Sequence, residues 1–173
     1  MKLLSYFPGL VLVFFLSVSC NPVMVSTDYD THVDFGKYKT YAFYKTGIDK
    51  APISELDKRR ILYAIGEAMS AKGYHTSETP DLLVSIYTKA RKRVDVYDPY
   101  WFPYYYSPYY RAHVSGYTEG TLFIDIIDKK EKKLVWQGAG TGYLTLSRNP
   151  DKREAHIRHF VDEILSRFPP ENE

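Results

Sequence analysis

Two groups of side chains have the types and spacing that metal binding or catalysis requires. His156 and His159 are three residues apart in a predicted helix, a spacing that can hold a metal ion. Both lie beside the apolar stripe of that helix, which favours solvated histidines. Asp125 and Asp128 flank the end of a predicted strand, where paired carboxylates can perform glycosidic chemistry or bind calcium. Turn and edge roles explain these carboxylates better, so neither group predicts a reaction.

The remaining chemical motifs are equally weak. Asp28, Asp30 and Asp34 cluster near the N-terminus but lack the glycine and the distal glutamate of a calcium loop. No nucleophile elbow of the G-x-S-x-G type occurs. Three glycines alternate along a predicted strand, where we expect them to let a helix or a bulky aromatic side chain approach the sheet: Gly138, Gly140 and Gly142. The sequence predicts no catalytic residues, no cofactor and no metal; an uncharacterised envelope hydrolase or other enzyme is the alternative.

The single cysteine, Cys20, follows an N-terminal segment typical of export. A positive start, an apolar run over residues 10–16 and then small residues have the order of a secretory signal peptide. Residues 3–18 fall short of the roughly 20 apolar residues that a membrane-spanning helix needs. The segment resembles a bacterial lipobox, in which the cysteine becomes the first mature residue and carries lipid. We expect residues 1–19 to be a lipoprotein signal peptide and Cys20 to be lipidated; an ordinary signal peptide with a free cysteine is the alternative.

An aromatic segment lies between two predicted strands. Residues 97–110 read YDPYWFPYYYSPYY, and their prolines exclude a regular helix or central strand, so residues 97–117 are predicted to form a loop. Tyrosine and tryptophan are enriched at binding hot spots because they offer large contact areas with few rotatable bonds. Eight rings form the predicted contact surface: Tyr100, Trp101, Phe102, Tyr104, Tyr105, Tyr106, Tyr109 and Tyr110. The alternative is that these rings fold back over the open face of the sheet.

Composition and charge limit the class of protein. The 173 residues are 45% apolar and 25% charged, as in globular proteins. A formal net charge of +2 lacks the basic excess of a nucleic-acid binder. One cysteine excludes an intramolecular disulfide and a cysteine-based zinc site. We expect a lipidated N-terminus with a tether or first strand over residues 20–34, followed by a single α+β domain over residues 35–173.

Periodicity predicts the helices and strands. Alternation over residues 81–96 places Leu82, Val84 and Ile86 on a buried face and Ser85, Tyr87 and Lys89 on a wet face. Two segments carry apolar residues at helical spacing, one beginning with a capping box at Ser54 and ending before Gly73, the other beginning at Asn149. The predicted segments are strands over 23–25, 35–44, 81–96, 118–127 and 134–144, a loop over 46–52, and helices over 54–72 and 150–167. The predicted fold class is α+β, a mainly antiparallel (mixed) sheet of about five strands with two helices packed on one face, in the order β-β-α-β-loop-β-β-α.

A succession of short motifs runs along residues 23–170. The motifs are Asp28-Tyr29-Asp30, Tyr38-Lys39-Thr40-Tyr41-Ala42-Phe43, Lys72-Gly73-Tyr74, Asp81-Leu82-Leu83-Val84, Glu119-Gly120-Thr121-Leu122, Leu134-Val135-Trp136-Gln137-Gly138 and Phe168-Pro169-Pro170. Their order and spacing resemble the bacterial lipoprotein family catalogued as domain of unknown function 4136. The resemblance implies an envelope lipoprotein with no assigned reaction, and it transfers no catalytic residue.

These features together predict a non-catalytic lipoprotein of the bacterial envelope. We expect it to be anchored in the outer membrane through lipid on Cys20 and to face the periplasm, because Asn21 stands where an aspartate would favour inner-membrane retention in enterobacterial lipoproteins. The expected partner is an envelope protein or an envelope glycan that contacts the aromatic loop. No nucleic acid is expected, and the sequence leaves the oligomeric state open.

Overall fold

The computed structural model describes residues 23–96, 114–143 and 147–170, which contain six strands and three α-helices. In chain order the elements are β1 (Met24–Tyr29), β2 (Thr40–Phe43), α1 (Lys45–Asp49), α2 (Glu55–Ala71), β3 (His75–Thr76), β4 (Leu82–Val96), β5 (Val114–Asp128), β6 (Lys133–Tyr143) and α3 (Pro150–Leu165). A short 3₁₀ helix at Phe35–Lys37 precedes β2.

All six strands belong to one mixed sheet in the order β1-β6-β5-β4-β2-β3. The first four strands of this order pair antiparallel, whereas β2 pairs parallel with both β4 and β3. A parallel pair needs a crossover connection, and the segment with α1 and α2 supplies it between β2 and β4. The predicted α+β fold with a mixed sheet is therefore confirmed, with β3 as an additional short strand.

Several boundaries differ from the sequence predictions. The predicted strand over 35–44 is divided, because Asp34 caps a 3₁₀ turn that buries Phe35 before β2 begins. The predicted loop over 46–52 contains α1, which the chain forms to bury one isoleucine against the core. β1 pairs along its whole length with β6, so the strand predicted over 23–25 extends to Tyr29 at the sheet edge. The predicted loop over 97–117 ends earlier, because β5 begins at Val114.

The two long helices begin with the predicted capping residues, and α2 ends as predicted before Gly73, whereas α3 ends at Leu165, two residues before its predicted end. Ser54 Oγ accepts a hydrogen bond from the Asp57 backbone N–H at 3.2 Å, and Gly73 after α2 has a φ of +83°, which glycine adopts without steric cost. Asn149 caps α3 by accepting hydrogen bonds from two backbone N–H groups. The buried apolar side chains of the two helices are Ile61, Ala64, Ile65, Met69, Phe160, Val161, Ile164 and Leu165. Both helices therefore pack with one apolar face on the same side of the sheet.

The glycines of β6 lie where α3 crosses the sheet. A Cβ atom added to Gly138 would lie 2.5 Å from Ile164 Cγ2, and one added to Gly140 would lie 2.7 Å from Ile164 Cδ1. A Cβ added to Gly142 would lie 2.9 Å from Phe160 Cε2. Carbon atoms in normal contact are about 3.5–4.0 Å apart. The predicted close approach is confirmed, since no larger residue fits under α3 without a shift.

Ion pairs connect α2 to α3. Arg153 donates two hydrogen bonds to the Asp57 carboxylate, from Nε at 2.8 Å and from Nη2. Further along both helices, Arg158 Nη1 lies 2.8 Å from Glu67 Oε2. Because the pairs occur in the same order along each helix, the helices run roughly parallel. Burial alone would raise the pKa of Asp57, but hydrogen bonds from Arg153 and neighbouring groups outweigh it and hold this pKa below its ordinary value.

Candidate functional site

The side of the sheet opposite the helices carries the candidate site, and we call it the open face. A groove of about 810 Å³ runs along it. The strand register places its side chains in rows across β4, β5 and β6, and β1 completes two of these rows. The side chains of the open face along the groove are Met24, Ser26, Tyr87, Lys89, Arg91, Glu119, Thr121, Phe123, Ala139 and Thr141.

An aromatic pair with a lysine lies at the centre of the open face, and we call these three residues the aromatic patch. The ring centroids of Tyr87 and Phe123, which pair across β4 and β5, are 5.9 Å apart. Lys89 Nζ lies 5.7 Å from the centroid of the first ring and 5.4 Å from that of the second. Both distances are within the range of a cation–π contact. Tyr87 is 46% exposed, so an apolar surface with a positive charge faces solvent, and its two rings are tilted by 41° to each other.

Polar groups surround the aromatic patch. Thr121 Oγ1 and Thr141 Oγ1 are 2.9 Å apart and share a hydrogen bond across β5 and β6. Gln137 Nε2 donates a hydrogen bond to Asp125 Oδ1 at 2.6 Å. Each of these partly exposed groups keeps further donor or acceptor capacity. The open face therefore combines an apolar platform with hydroxyl, amide and carboxylate groups, which suits binding of a molecule that has both apolar and hydroxylated faces.

A second, smaller cleft lies on the helix side of the sheet. It has a volume of about 220 Å³ and lies where the N-terminal ends of α2 and α3 meet β4 and β5. Ile61, Leu122 and Phe160 supply much of its apolar wall, and the ion-paired Asp57 and Arg153 lie at the same site. These two charged groups bond to each other across α2 and α3.

The two histidines of α3, His156 and His159, which the sequence favoured as solvated side chains, contact different neighbours on the same helix. The His156 ring packs on the Phe160 ring, with centroids 5.9 Å apart. His159 Nδ1 lies 3.8 Å from Glu163 Oε1 on the same helix. Among the described residues, no group of three or more histidine, cysteine, aspartate or glutamate side chains is placed to hold a metal ion.

Asp125 and Asp128 lie on opposite faces of β5, because side chains alternate along a strand. Asp128 is buried; its Oδ2 accepts a hydrogen bond from Tyr38 Oη at 2.7 Å, and its Oδ1 accepts one from the Glu131 backbone N–H at 2.9 Å. Burial alone would raise the pKa of Asp128, but these hydrogen bonds and the nearby Lys37 ammonium lower it below the ordinary range. Asp128 therefore stabilises the turn, as interpreted from the sequence.

The N-terminal carboxylates also serve local turns. Asp30 Oδ1 accepts a hydrogen bond from the His32 backbone N–H at 3.0 Å, and Asp34 Oδ1 accepts one from Gly36 at 2.9 Å. Asp28 Oδ1 accepts one from the backbone N–H of the next residue. Since each carboxylate bonds to its own segment, the three do not converge on a common ligand.

Two predicted sites lie outside the described residues. Cys20, the expected lipid attachment residue, precedes the first described residue. The eight rings of the predicted contact surface also lie outside them: Tyr100, Trp101, Phe102, Tyr104, Tyr105, Tyr106, Tyr109 and Tyr110. The paired residues Val96 and Val114 mark where the chain enters and leaves that segment. Within the described part of the chain, no helix is long and apolar enough to cross a membrane.

Two of the three residues of the aromatic patch follow from the sequence. Alternation along β4 correctly indicated that Tyr87 and Lys89 share the wet face. Phe123 was missed, because its position opposite Tyr87 depends on the β4–β5 register. These strands are joined through residues 97–113, and so long a connection does not specify a register from the sequence.

The fold belongs to the α+β class, with helices on one face of a mixed sheet and a groove on the other. The family model described as "Domain of unknown function (DUF4136)" matches residues 25–170. The chain therefore belongs to this family, as the succession of motifs indicated. No curated protein sequence matches the chain.

Solved structures with a similar fold come from other bacterial proteins. A PDZ domain protein from Parabacteroides distasonis is 19% identical with a TM-score of 0.55, and the match covers 94% of this chain but only 40% of that one. The PelC dodecamer from Paraburkholderia phytofirmans is 13% identical with a TM-score of 0.46, covering 84% of this chain and 96% of that one. A minor lipoprotein from Acinetobacter baumannii is 13% identical with a TM-score of 0.39, covering 75% and 88%. At these identities the likeness concerns the fold alone.

Proposed function

We propose that this protein is a non-catalytic bacterial envelope lipoprotein, anchored in the outer membrane through lipid on Cys20 and facing the periplasm, which binds an envelope glycan or a partner protein. The observation that carries the binding role is the exposed aromatic patch on the open face. The aromatic segment that follows β4 belongs to the same proposal, with its eight rings contributing to binding.

An envelope glycan suits the chemistry of the open face best. Aromatic rings give a flat apolar surface on which the apolar face of a sugar ring can stack. The Thr121 and Thr141 hydroxyls and the Gln137 amide can exchange hydrogen bonds with sugar hydroxyls beside the rings. A protein partner with an exposed apolar segment would use the same rings.

The anchor is tested by replacing Cys20→Ser in the full chain. The export signal stays in place, and the thiol that accepts lipid is lost. We expect the wild-type protein in the membrane fraction and the variant in the soluble periplasmic fraction. Intact-mass spectrometry of the wild type should show lipid on the mature N-terminus. A variant that stays with the membranes in the wild-type amount would contradict the anchor.

The binding surface is tested by a double substitution, Tyr87→Ala with Phe123→Ala. Tyr63→Ala is the matched control, since Tyr63 is 61% exposed on α2, away from the open face. Cross-linking in living cells and sedimentation with purified envelope polysaccharide report binding. Loss of a hot-spot side chain costs about 2 kcal/mol or more, so we expect the double variant to lose at least about tenfold in affinity and the control to retain it. Equal binding by the wild type, the double variant and the control would show that the aromatic patch is not the binding surface.

The contribution of the aromatic segment needs a separate deletion. Because Val96 and Val114 pair directly, a short Gly/Ser turn can join them without disturbing the sheet. We expect this variant to lose envelope cross-links while its urea midpoint stays near that of the wild type. A loss of several kcal/mol, as for buried large aromatic residues, would show that the rings belong to the core and would overturn their binding role.

A further inference from the structure

The chain enters β1 from the same end of the sheet toward which β4 and β5 extend. Met24, the first residue of β1, lies in one row with Thr141, Thr121 and Lys89 across β6, β5 and β4. β1 runs from this row toward the turn between β5 and β6. The segment that leads back to Cys20 therefore leaves the sheet at the opposite end, toward which β4 and β5 continue beyond β1 and β6. We call this end of the two strands, Lys89–Val96 paired with Val114–Thr121, the arm; β6 still pairs with Glu119, Gly120 and Thr121 at its base, and beyond them it is two-stranded.

Chain lengths determine which end of the sheet is near a lipid on Cys20. Cys20 lies four positions before Met24, and a fully extended chain spans at most about 14 Å over that stretch. The arm continues about 23 Å beyond the row of Met24, at 3.3 Å per residue. The turn between β5 and β6 begins about 23 Å from the same row in the other direction. A lipid on Cys20 therefore keeps the arm near the membrane and the turn away from it.

The arm carries positive charge at the position that this geometry places next to the membrane. Four of the five residues over 89–93 are basic: Lys89, Arg91, Lys92 and Arg93. With Asp95 and with Glu119, which pairs opposite Arg91, the arm keeps a formal net charge of +2. Lys89 and Arg91 are exposed, and within the described part of the chain neither forms a salt bridge. Met24, beside them in the groove, is 63% exposed and adds an apolar contact.

We propose that the arm binds the anionic headgroups of the membrane in which the lipid of Cys20 is inserted, with Lys89 and Arg91 contacting lipid phosphates. This inference rests on the proposed lipid attachment. A basic segment next to an anchored site adds attraction to an anionic surface, because each basic side chain near that surface contributes roughly 1 kcal/mol. The contact orients the sheet on the membrane, with the turn between β5 and β6 directed away from it.

The orientation is tested with the lipidated full chain in vesicles of phosphatidylethanolamine and phosphatidylglycerol. Cys20 is the only cysteine and is blocked by lipid, so a Ser115→Cys or a Lys130→Cys substitution provides a single thiol for a fluorophore. The first label lies on the arm and the second in the turn. A lipid with a nitroxide headgroup should quench the arm label strongly and the turn label weakly. Equal quenching, or stronger quenching of the turn label, would overturn the inference.

Charge substitutions separate the arm contact from simple proximity. Lys89→Gln with Arg91→Gln should lower the equilibrium for arm contact about thirtyfold, since two charges at roughly 1 kcal/mol each are removed. Lys129→Gln with Lys130→Gln removes the same charge from the turn and should leave quenching of the arm label unchanged. Equal effects of the two pairs, or full quenching of the arm label in neutral phosphatidylcholine, would refute the role of the basic residues.

The same samples distinguish the two proposals from each other. If mass spectrometry shows no lipid on Cys20, the proposed anchor is wrong. If Cys20 carries lipid and the turn label is quenched more than the arm label, only the contact of the arm with headgroups is wrong.

Discussion

Replacing Gly140 by alanine tests the packing of α3 on the sheet. The added Cβ would lie 2.7 Å from Ile164 Cδ1 and Cγ1 and 3.0 Å from Phe160 Cε1. These distances are about 1 Å shorter than a normal carbon–carbon contact. Ile164 is fully buried, so it has no solvent-filled space into which to turn. The substitution therefore requires α3 to move away from β6 or a side chain to leave its preferred rotamer.

The expected cost follows from two opposing effects. Overpacking a core by a carbon atom costs about 1–3 kcal/mol. Removing a strand glycine returns about 0.5–1 kcal/mol of chain entropy. We expect Gly140→Ala to lower the free energy of unfolding by about 1–2 kcal/mol, which corresponds to a loss of roughly 2–8 °C in Tm.

Urea unfolding of the variant, followed by circular dichroism, measures the change. Gly66→Ala is the control, because the nearest atom to its Cβ is Tyr41 Oη at 3.7 Å and alanine is favoured in a helix, so it should stabilise by up to about 1 kcal/mol. Combining Gly140→Ala with Ile164→Val removes the Cδ1 methyl group that the new Cβ would contact. The double variant should therefore lose less free energy of unfolding than the sum of the losses in the two single variants. A Gly140→Ala protein as stable as the wild type would refute the close-packing argument.

Three further outcomes follow from the buried polar groups. Tyr38→Phe should destabilise by about 1.5–3 kcal/mol, because the Asp128 carboxylate loses a hydrogen bond in a buried site; an unchanged urea midpoint would contradict this. Arg153→Gln should lower the free energy of unfolding by about 2 kcal/mol, because Asp57 loses its partner on α3. This value lies between those typical of exposed and of buried ion pairs, and calorimetry at pH 7 measures it. The folded-state pKa values of Asp57, Asp81 and Asp128 are all lowered, so the unfolded chain takes up these protons first as the pH falls. The free energy of unfolding should stay constant while the pH is above the ordinary carboxyl pKa of about 3.9, and it should decrease as the pH drops below that value. A urea midpoint independent of pH between 7 and 3 would contradict the lowered pKa values of these three carboxyls.

The local features of the fold could be predicted because each depends on near neighbours in sequence. The capping interactions at Ser54 and Asn149 involve residues two or three positions away, and the stripe of glycines in β6 shows its alternation within five residues. The 3₁₀ turn at Phe35 was missed for a physical reason. Aromatic residues suit a strand and a buried turn equally, and only contact with the core decides between them.

The candidate site depended more on the tertiary structure. The sequence indicated a wet face on β4 but not which strand lies beside it, because β4 and β5 are joined through a long segment whose sequence does not specify register. Tyr87 and Phe123 become a patch only when the two strands align. Similarly, Asp57 acquires its role from Arg153, which is distant in sequence and approaches only when the two helices pack.

The sequence by itself determined the family, the two long helices with their caps, and the alternation that separates the wet and buried faces of β4. These features follow from backbone periodicity and side-chain chemistry over a few residues. Only the tertiary structure decided the strand order and the place of β1 at the sheet edge. It also decided that the arm lies at the end of the sheet where β1 begins. Those features depend on which apolar faces bury each other across the whole chain, and such long-range packing is not encoded in any local pattern.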